Sequence, residues 1–303
     1  MNDQASSLRK MMKNSDSEVN NDKNNESTTK DSNSQTKVIA VASGKGGVGK
    51  TNLSVNLAYA LSEMDKSVLV MDADIGMANV DILMGLTSTY SLKHVMKGKC
   101  EIEDAIVKTP SGINVLTGIS GEEDFIDVSS DEIERLLSVS SHLEENYDII
   151  IIDIGAGAHS DVLNFIMAAD ETLIVLTPEP TAIMDAYSLL KILSTHNYRS
   201  DLGLVVNMVE NDSEGEEVIE RMKSVIKEYL DINLELTSNI PYDKKVVKSV
   251  KKQQSIFDLY PNSSVVKSYK KTAAELIDKE EEESSSQNMK NFFSKIVGMF
   301  KKG

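Results

Sequence analysis

The chain has 303 residues and a formal net charge of -16 at pH 7, with 40% apolar residues, 5% aromatic residues and no tryptophan. This length and apolar content suffice for one large α/β domain with tails or for two small domains. The acidic balance disfavours nonspecific nucleic-acid binding, which needs a local excess of positive charge. The lone cysteine, Cys100, excludes a disulfide framework and any all-cysteine metal or iron–sulfur site within one chain.

Membrane-crossing and secretory segments are not predicted. The sequence has no run of about 18 apolar residues, which a transmembrane helix requires. Its start also lacks the apolar segment of a secretion signal. The expected location is therefore the cytoplasm.

The first predicted unit, residues 1–36, is an N-terminal tail in two parts. Residues 13–36 are mainly Asn, Ser, Asp, Lys, Glu and Thr and offer almost nothing to bury, which predicts a disordered linker. The segment NDQASSLRKMM before it has apolar residues at a spacing that suits a short amphipathic helix.

The second predicted unit, residues 37–278, is a single domain in which short apolar runs alternate with helical patterns. Runs such as DIIIID and TLIVLT are apolar throughout, as expected of strands covered on both faces. The alternation predicts a mostly parallel sheet with helices on both faces, an α/β fold. The predicted strands are 38–42, 68–72, 113–117, 148–153, 172–177, 202–208 and 235–240. The predicted helices are 52–64, 129–145, 160–168, 181–196, 214–230 and 262–278.

The chain ends in an acidic linker, 279–287, and an amphipathic helix, 288–303. The apolar residues of this helix form one continuous stripe, and most of its lysines lie beside the stripe. A basic amphipathic helix on a tether predicts attachment to an anionic membrane surface. Docking on the protein's own core is the alternative, and docking without a bound ligand with release in its presence would make a switch. The residues expected to contact the membrane are Phe292, Phe293, Ile296, Val297 and Phe300.

The strongest motif is GKGGVGKT, residues 44–51, between the strand VIAVA and the helix TNLSVNLAYAL. This strand–loop–helix context is the one that a P-loop requires. Its glycines let backbone amides approach phosphates, and the helix N-terminus adds partial positive charge. We expect Lys50 to contact the β- and γ-phosphates and Thr51 to ligate Mg²⁺. The predicted nucleotide-binding residues here are Gly44, Lys45, Gly46, Gly47, Val48, Gly49, Lys50 and Thr51.

Carboxylates follow two other predicted strands. Asp72 and Asp74, separated by one residue at the end of SVLVM, should point the same way, towards the phosphate loop. We assign Asp74 to orienting the attacking water and Asp72 to the Mg²⁺ shell or its support. Asp81 is expected to lie in a solvated turn or to contact a partner subunit. Asp153 ends DIIIID and is the expected Walker B carboxylate, which holds Mg²⁺ through water.

Lys45, at the start of the loop, is not required by the basic P-loop pattern. With it, KGGVGKT resembles the deviant Walker A motif of the MinD/ParA class of ATPases. In that class the early lysine crosses to the partner's nucleotide, so the resemblance implies an ATP-bound homodimer. It implies catalytic roles for Lys45, Lys50 and Asp74.

The same resemblance implies that ATP is the nucleotide. Asn207, at the end of LGLVVN, matches the asparagine of the class that contacts adenine, although an asparagine at a strand end is often only a cap. Pro241 lies in the matching adenine loop. Met-Val-Glu follows VVN in place of a guanine-reading pattern, which favours ATP over GTP.

The segments DQASSLR, residues 3–9, and TPEPTAIMDAY, residues 177–187, resemble the FlhG (FleN/YlxH) flagellar-number regulators within this class. The resemblance covers nearly the whole chain. It implies that the N-terminal motif activates the GTPase FlhF and that flagellar C-ring proteins are further partners. It implies ATP-dependent attachment to the inner face of the cell membrane. The predicted partner-binding residues are Gln4, Leu8 and Arg9.

Two alternatives remain within the class. A MinD-type division-site regulator would have the membrane helix but no use for the N-terminal motif. A ParA-type partition ATPase would need a DNA-binding face, which the acidic composition and the terminal helix disfavour. A small face could come from Lys244, Lys245, Lys248, Lys251 and Lys252.

Overall fold

The computed structural model describes residues 36–74, 79–109, 112–118, 129–196, 198, 200–230, 232–278 and 289–300. The predicted partner-binding residues Gln4, Leu8 and Arg9 lie outside this part of the chain. So does the predicted acidic linker, 279–287.

An eight-stranded sheet forms the centre of the domain, with strand order β3-β4-β2-β5-β1-β6-β7-β8. Only the edge pair β3–β4 is antiparallel, and the other neighbours are parallel. This sheet confirms the predicted fold class. The strands are β1 (Lys37–Ser43), β2 (Val68–Ala73), β3 (Ile106–Lys108), β4 (Asn114–Leu116), β5 (Ile149–Ala156), β6 (Glu171–Leu176), β7 (Asp201–Val209) and β8 (Leu236–Pro241).

Helices cover both faces of the sheet. All seven predicted helices are present, and the described residues form five further short helices that were not predicted. The helices are α1 (Lys50–Ser62), α2 (Val80–Met84), α3 (Leu92–Met96), α4 (Ile102–Ala105), α5 (Ser130–Asn146), α6 (Ser160–Ala168), α7 (Pro180–Thr195), α8 (Asp212–Tyr229), α9 (Lys244–Lys252), α10 (Ile256–Leu259), α11 (Ser264–Asp278) and α12 (Met289–Phe300).

The central strands are buried because both of their faces are apolar. In β1, Val38, Ala40 and Ala42 belong to one core, and Ile39 and Val41 belong to the other. The first core includes side chains of α5 to α8 and α12, whereas the second includes side chains of α1, α10 and α11. This two-sided burial explains why these strands read as continuous apolar runs rather than as alternating patterns.

The C-terminal helix α12 packs against α5 and α6. Its apolar stripe is covered there: Met289, Phe292, Phe293, Ile296 and Val297 are each at most 7% exposed. The ring of Phe292 lies 6.3 Å from the ring of Phe165 in α6. The structure therefore has the stripe docked on the protein's own core, and contact with a membrane would require its release. Among the described residues, no helix has the length and apolar character to cross a membrane.

Candidate nucleotide site

The predicted site residues meet at one edge of the sheet. The phosphate loop follows β1, Asp72 and Asp153 lie near the ends of β2 and β5, and Asn207 and Pro241 lie near the ends of β7 and β8. These strands are parallel, so their carboxyl ends share an edge, and ligands bind at that edge in open α/β sheets.

The conformation of the phosphate loop requires its glycines. Gly47 and Gly49 have φ angles of 81° and 92°, in the left-handed region that glycine occupies without strain. A Cβ atom on Gly44 would lie only 2.2 Å from the backbone oxygen of Asp185 in α7. The loop leads directly into α1, whose N-terminus favours negatively charged ligands.

Asp153 is held between two hydroxyl groups of α1. Thr51 Oγ1 donates to Asp153 Oδ2 at 2.6 Å, and Ser54 Oγ donates to Asp153 Oδ1 at 3.1 Å. Burial raises the pKa of Asp153 to about 6, against the hydrogen bond from Thr51, which lowers it. The sequence analysis missed Ser54, although its position three residues after Thr51 places both hydroxyls on one face of a helix.

These groups fit a magnesium ion. Hydroxyl and carboxylate oxygens are the hard ligands that Mg²⁺ prefers, and Mg²⁺ is usually held by one or two carboxylates and substrate phosphates. The side chains of Thr51 and Asp153 provide such oxygens beside the phosphate loop, and Lys50 is buried nearby at 9% exposure.

Asp72 organises the segment that follows β2. Its Oδ1 accepts the backbone N–H of Asp74 at 3.0 Å, and its Oδ2 accepts those of Asn79 and Val80 at 2.8 and 3.1 Å. Burial raises the pKa of Asp72, and these backbone hydrogen bonds oppose the rise. Of the two roles assigned to Asp72, this arrangement favours support of the site over direct contact with the metal.

Asp74 lies near two of the segments that border the site. Its Oδ2 accepts a hydrogen bond of 3.4 Å from Asn79 Nδ2. On its other side, a Cβ atom on Gly155 would lie 3.4 Å from Asp74 Oδ1. Asp74 therefore lies between the segment after β2 and the end of β5, where movement of either segment would move its carboxylate.

Lys45 is held by α7 rather than by its own loop. Its Nζ lies 3.1 Å from Glu179 Oε2 and donates to Thr181 Oγ1 at 2.8 Å. The side chain is 38% exposed. Glu179 and Thr181 belong to the segment TPEPTAIMDAY, which contributes to the family resemblance. Their contact with Lys45 depends on the tertiary fold and was not predicted.

Asn207 braces the phosphate loop. Its Nδ2 donates to the backbone oxygen of Val48 at 2.8 Å, and its Oδ1 accepts the N–H of Met208 at 3.0 Å. Contact between Asn207 and adenine stays a prediction; the amide has a second N–H and a second oxygen lone pair beyond those used in these two bonds. Pro241 pairs with Val209 in the sheet, directly before the exposed side chain of Tyr242.

Comparisons with known proteins identify relatives of the chain. A family model described as an AAA domain matches residues 36–204. The chain is 34% identical over 301 residues to the flagellum site-determining protein YlxH of Helicobacter pylori, which covers 98% of this chain and 99% of that one. It is 38% identical over 236 residues to the antiactivator FleN of Pseudomonas aeruginosa, which covers 78% of this chain and 84% of that one.

Solved structures of MinD proteins are also similar to this chain. The cell division ATPase MinD of Pyrococcus furiosus matches with a TM-score of 0.64 and 27% identity, covering 80% of this chain and 98% of that chain. MinD of Pyrococcus horikoshii, complexed with Mg-ADP, matches with a TM-score of 0.63 and 27% identity, covering 80% of this chain and 96% of that chain.

Proposed function

The chain belongs to the FlhG (FleN/YlxH) family of MinD/ParA-type ATPases, and from this premise we propose that it is an ATP-operated switch that regulates flagellar number or placement. It is an ATP-hydrolysing P-loop enzyme. The observation that carries the proposal is the likeness to YlxH, because it spans 98% of this chain and therefore includes sequence beyond the ATPase domain.

The residues of the site divide the work of hydrolysis. Lys50 neutralises charge on the β- and γ-phosphates, and Asp74 orients the water that attacks the γ-phosphate. Thr51 and Asp153 would hold Mg²⁺, which when bound supplies positive charge against the phosphate oxygens. Asp72 fixes the backbone that carries Asp74, through the three N–H groups that it accepts.

ATP is proposed to join two copies of the chain. In the described structure Lys45 is paired with Glu179 at the surface, where a long and partly exposed side chain is free to change partners. An exposed ion pair of this kind contributes little to stability, so exchanging it costs little. Lys45 would then stabilise charge on the partner's nucleotide, as an arginine finger does in other systems.

The docked helix α12 supports a membrane switch. With the apolar stripe covered by α5 and α6, the monomer would present little apolar surface to a lipid headgroup layer. Release of α12 in the ATP-bound dimer would present two short helices at once. Two weak anchors on one particle bind far more tightly than one, so attachment to the anionic inner face of the cell membrane would follow dimerisation.

The N-terminal tail is proposed to act on FlhF, with flagellar C-ring proteins as further partners. Residues 1–12 have too little apolar sequence to fold alone and would order only on a partner. Leu8 would supply the apolar contact, Arg9 would pair with a carboxylate or phosphate, and Gln4 would position a water in the GTPase, as glutamines do in other GTPases.

One observation favours the ParA-type alternative. The five lysines of α9 are all exposed beside the nucleotide edge of the sheet. The assay of choice therefore measures GTP hydrolysis by FlhF, and in parallel DNA binding, with the purified chain and ATP. Stimulated hydrolysis without DNA binding supports the proposal. ATP-dependent DNA binding without stimulation would favour partition instead.

A further inference from the structure

The beginning of the domain and the C-terminal helix meet at one residue, Glu144, in the last turn of α5. The hydroxyl of Thr36 donates to the backbone oxygens of Tyr147 and Glu144, at 2.6 and 3.2 Å. The Glu144 carboxylate accepts the backbone N–H of Lys290 at 3.0 Å, in the first turn of α12. A carboxylate at this position satisfies a helix N–H and interacts favourably with the helix dipole.

A second residue, Asp170, also connects the two regions. Its Oδ2 accepts the backbone N–H of Val38 at 2.8 Å, and its own N–H donates to the oxygen of Val38 at 3.0 Å. Lys295 of α12 is close enough to interact with this carboxylate: burial lowers the pKa of Lys295, and Asp170 raises it. The start of the domain and the docked α12 therefore both contact Glu144, at its backbone oxygen and at its carboxylate respectively, and both interact with the carboxylate of Asp170.

These contacts lie at the sheet edge opposite the nucleotide. Lys37 forms an ion pair of 2.9 Å with Glu171 and donates to the backbone oxygen of Leu276 near the end of α11. The point where the chain enters the domain is thus bordered by α12 through Glu144 and by the last turn of α11. A change in α12 could reach this point without passing through the nucleotide site.

We propose that α12 and residues 36–38 form one cooperative unit, the tail latch, in which docking of α12 and anchoring of residues 36–38 stabilise each other through Glu144 and Asp170. When α12 leaves, water reaches the Asp170 carboxylate and competes for the N–H of Val38. The end of α5, whose backbone oxygens accept from Thr36, also loses its contact with Lys290. Anchoring of residues 36–38 then weakens. Through the tail latch, undocking of the C-terminal helix therefore loosens the segment that leads into the N-terminal tail. This purpose rests on the proposed function, whereas the coupling itself does not.

Hydrogen exchange of the full chain without nucleotide tests the coupling from the C-terminal side. In the variant Phe292→Glu/Ile296→Glu, which places two charges in the buried stripe, peptides covering residues 36–42 should exchange at least about threefold faster. The single variant Glu144→Ala removes the carboxylate that accepts from Lys290 and keeps the backbone oxygen that accepts from Thr36. It should also make residues 36–42 exchange faster. The two changes together should add little, because both act through α12.

Coupling is reciprocal, so the test also runs from the other side. Thr36→Val should raise the exchange of residues 289–300 by a similar factor. Thr195→Val in α7 is the matched control, since it removes an exposed hydroxyl whose described partners are the backbone oxygen of Ile192 and the Nδ1 atom of the adjacent His196. It should leave residues 289–300 unchanged.

Two results would overturn the tail latch. One is faster exchange of residues 289–300 in the double variant with no change at residues 36–42. The other is an equal increase in β7, which would indicate loss of global stability. Vesicle binding and FlhF stimulation are measured separately: failure of either contradicts the proposed function and leaves the coupling intact.

Discussion

The Nζ atom of Lys45 lies 3.1 Å from the Oε2 atom of Glu179, so the extra lysine of the phosphate loop is held by α7 of its own chain. The geometry separates two lysines that lie five residues apart in the sequence: Lys50 is buried at the loop, and Lys45 is at the surface.

The Lys45→Ala variant tests this separation. We expect ATP hydrolysis to fall at least about 100-fold, the scale on which a cation at the γ-phosphate contributes in other phosphoryl-transfer enzymes. The melting temperature should not change measurably, because the ion pair is exposed. Glu179→Gln is the matched control, since it removes the same ion pair and keeps Lys45. Equal loss of hydrolysis in both variants would show that the pair itself is what matters.

Dimerisation by ATP gives a second prediction. Asp74→Ala should retain uncleaved ATP and form a stable dimer in light scattering with Mg²⁺-ATP. Lys50→Ala, which lacks the cation at the γ-phosphate, should stay monomeric under the same conditions. If both variants remained monomeric at saturating ATP, the shared-nucleotide dimer would be wrong.

Seven of the eight strands in the described part of the chain were predicted, and the central ones are apolar throughout because both faces of the sheet are covered. The strand β3 was missed because it has three residues, of which only Ile106 is buried. The helix α9 was missed because five of its nine residues are lysines, so Val246 and Val250 do not stand out as an apolar helical pattern.

The sequence likewise predicted one part of the candidate site and not the other. The loop glycines, Thr51 and Asp153 were predicted because their spacing along the chain reflects the local strand–loop–helix geometry. The partners of Lys45 could not be inferred in this manner, because Glu179 is 134 residues away and reaches it only through the packing of α7. The docked position of α12 also depends on a tertiary surface that no local pattern encodes.

The pKa of Asp153 leads to a third prediction. Because burial raises it from 3.8 to about 6, the ionised carboxylate costs stability without nucleotide. This cost is absent well below pH 3.8, grows between pH 3.8 and about 6, and is fully present above. Asp153→Asn should therefore raise the free energy of unfolding by about 2–3 kcal/mol at pH 7.5 and by about 1 kcal/mol at pH 4.5.

Urea denaturation of the nucleotide-free protein at both pH values measures this difference. The Asn variant should also lose the stabilisation that Mg²⁺-ATP gives the wild type, because a ligand oxygen has lost its charge. A variant that is less stable than the wild type at pH 7.5 would show that the carboxylate is better accommodated than its burial indicates.

Membrane attachment gives a fourth prediction, in which two residues on opposite sides of one contact have opposite effects. Phe165→Leu should weaken the packing of α12 against α6 without changing α12 itself. Flotation with anionic vesicles should therefore rise in the absence of ATP. Phe292→Glu should abolish flotation even with ATP, because the apolar stripe itself is interrupted. Equal flotation by both variants and the wild type would contradict a role for α12 at the membrane.

The most direct test of the regulatory function uses a synthetic peptide of residues 1–20 and measures GTP hydrolysis by FlhF without the ATPase domain. The peptide should accelerate GTP hydrolysis. Gln4→Ala should reduce the rate more than it reduces binding, whereas Leu8→Ala should weaken binding itself. A peptide that binds FlhF without accelerating hydrolysis would show that the tail only attaches the chain to FlhF. A peptide that does not bind would contradict the FlhF-directed function and favour a MinD-type regulator.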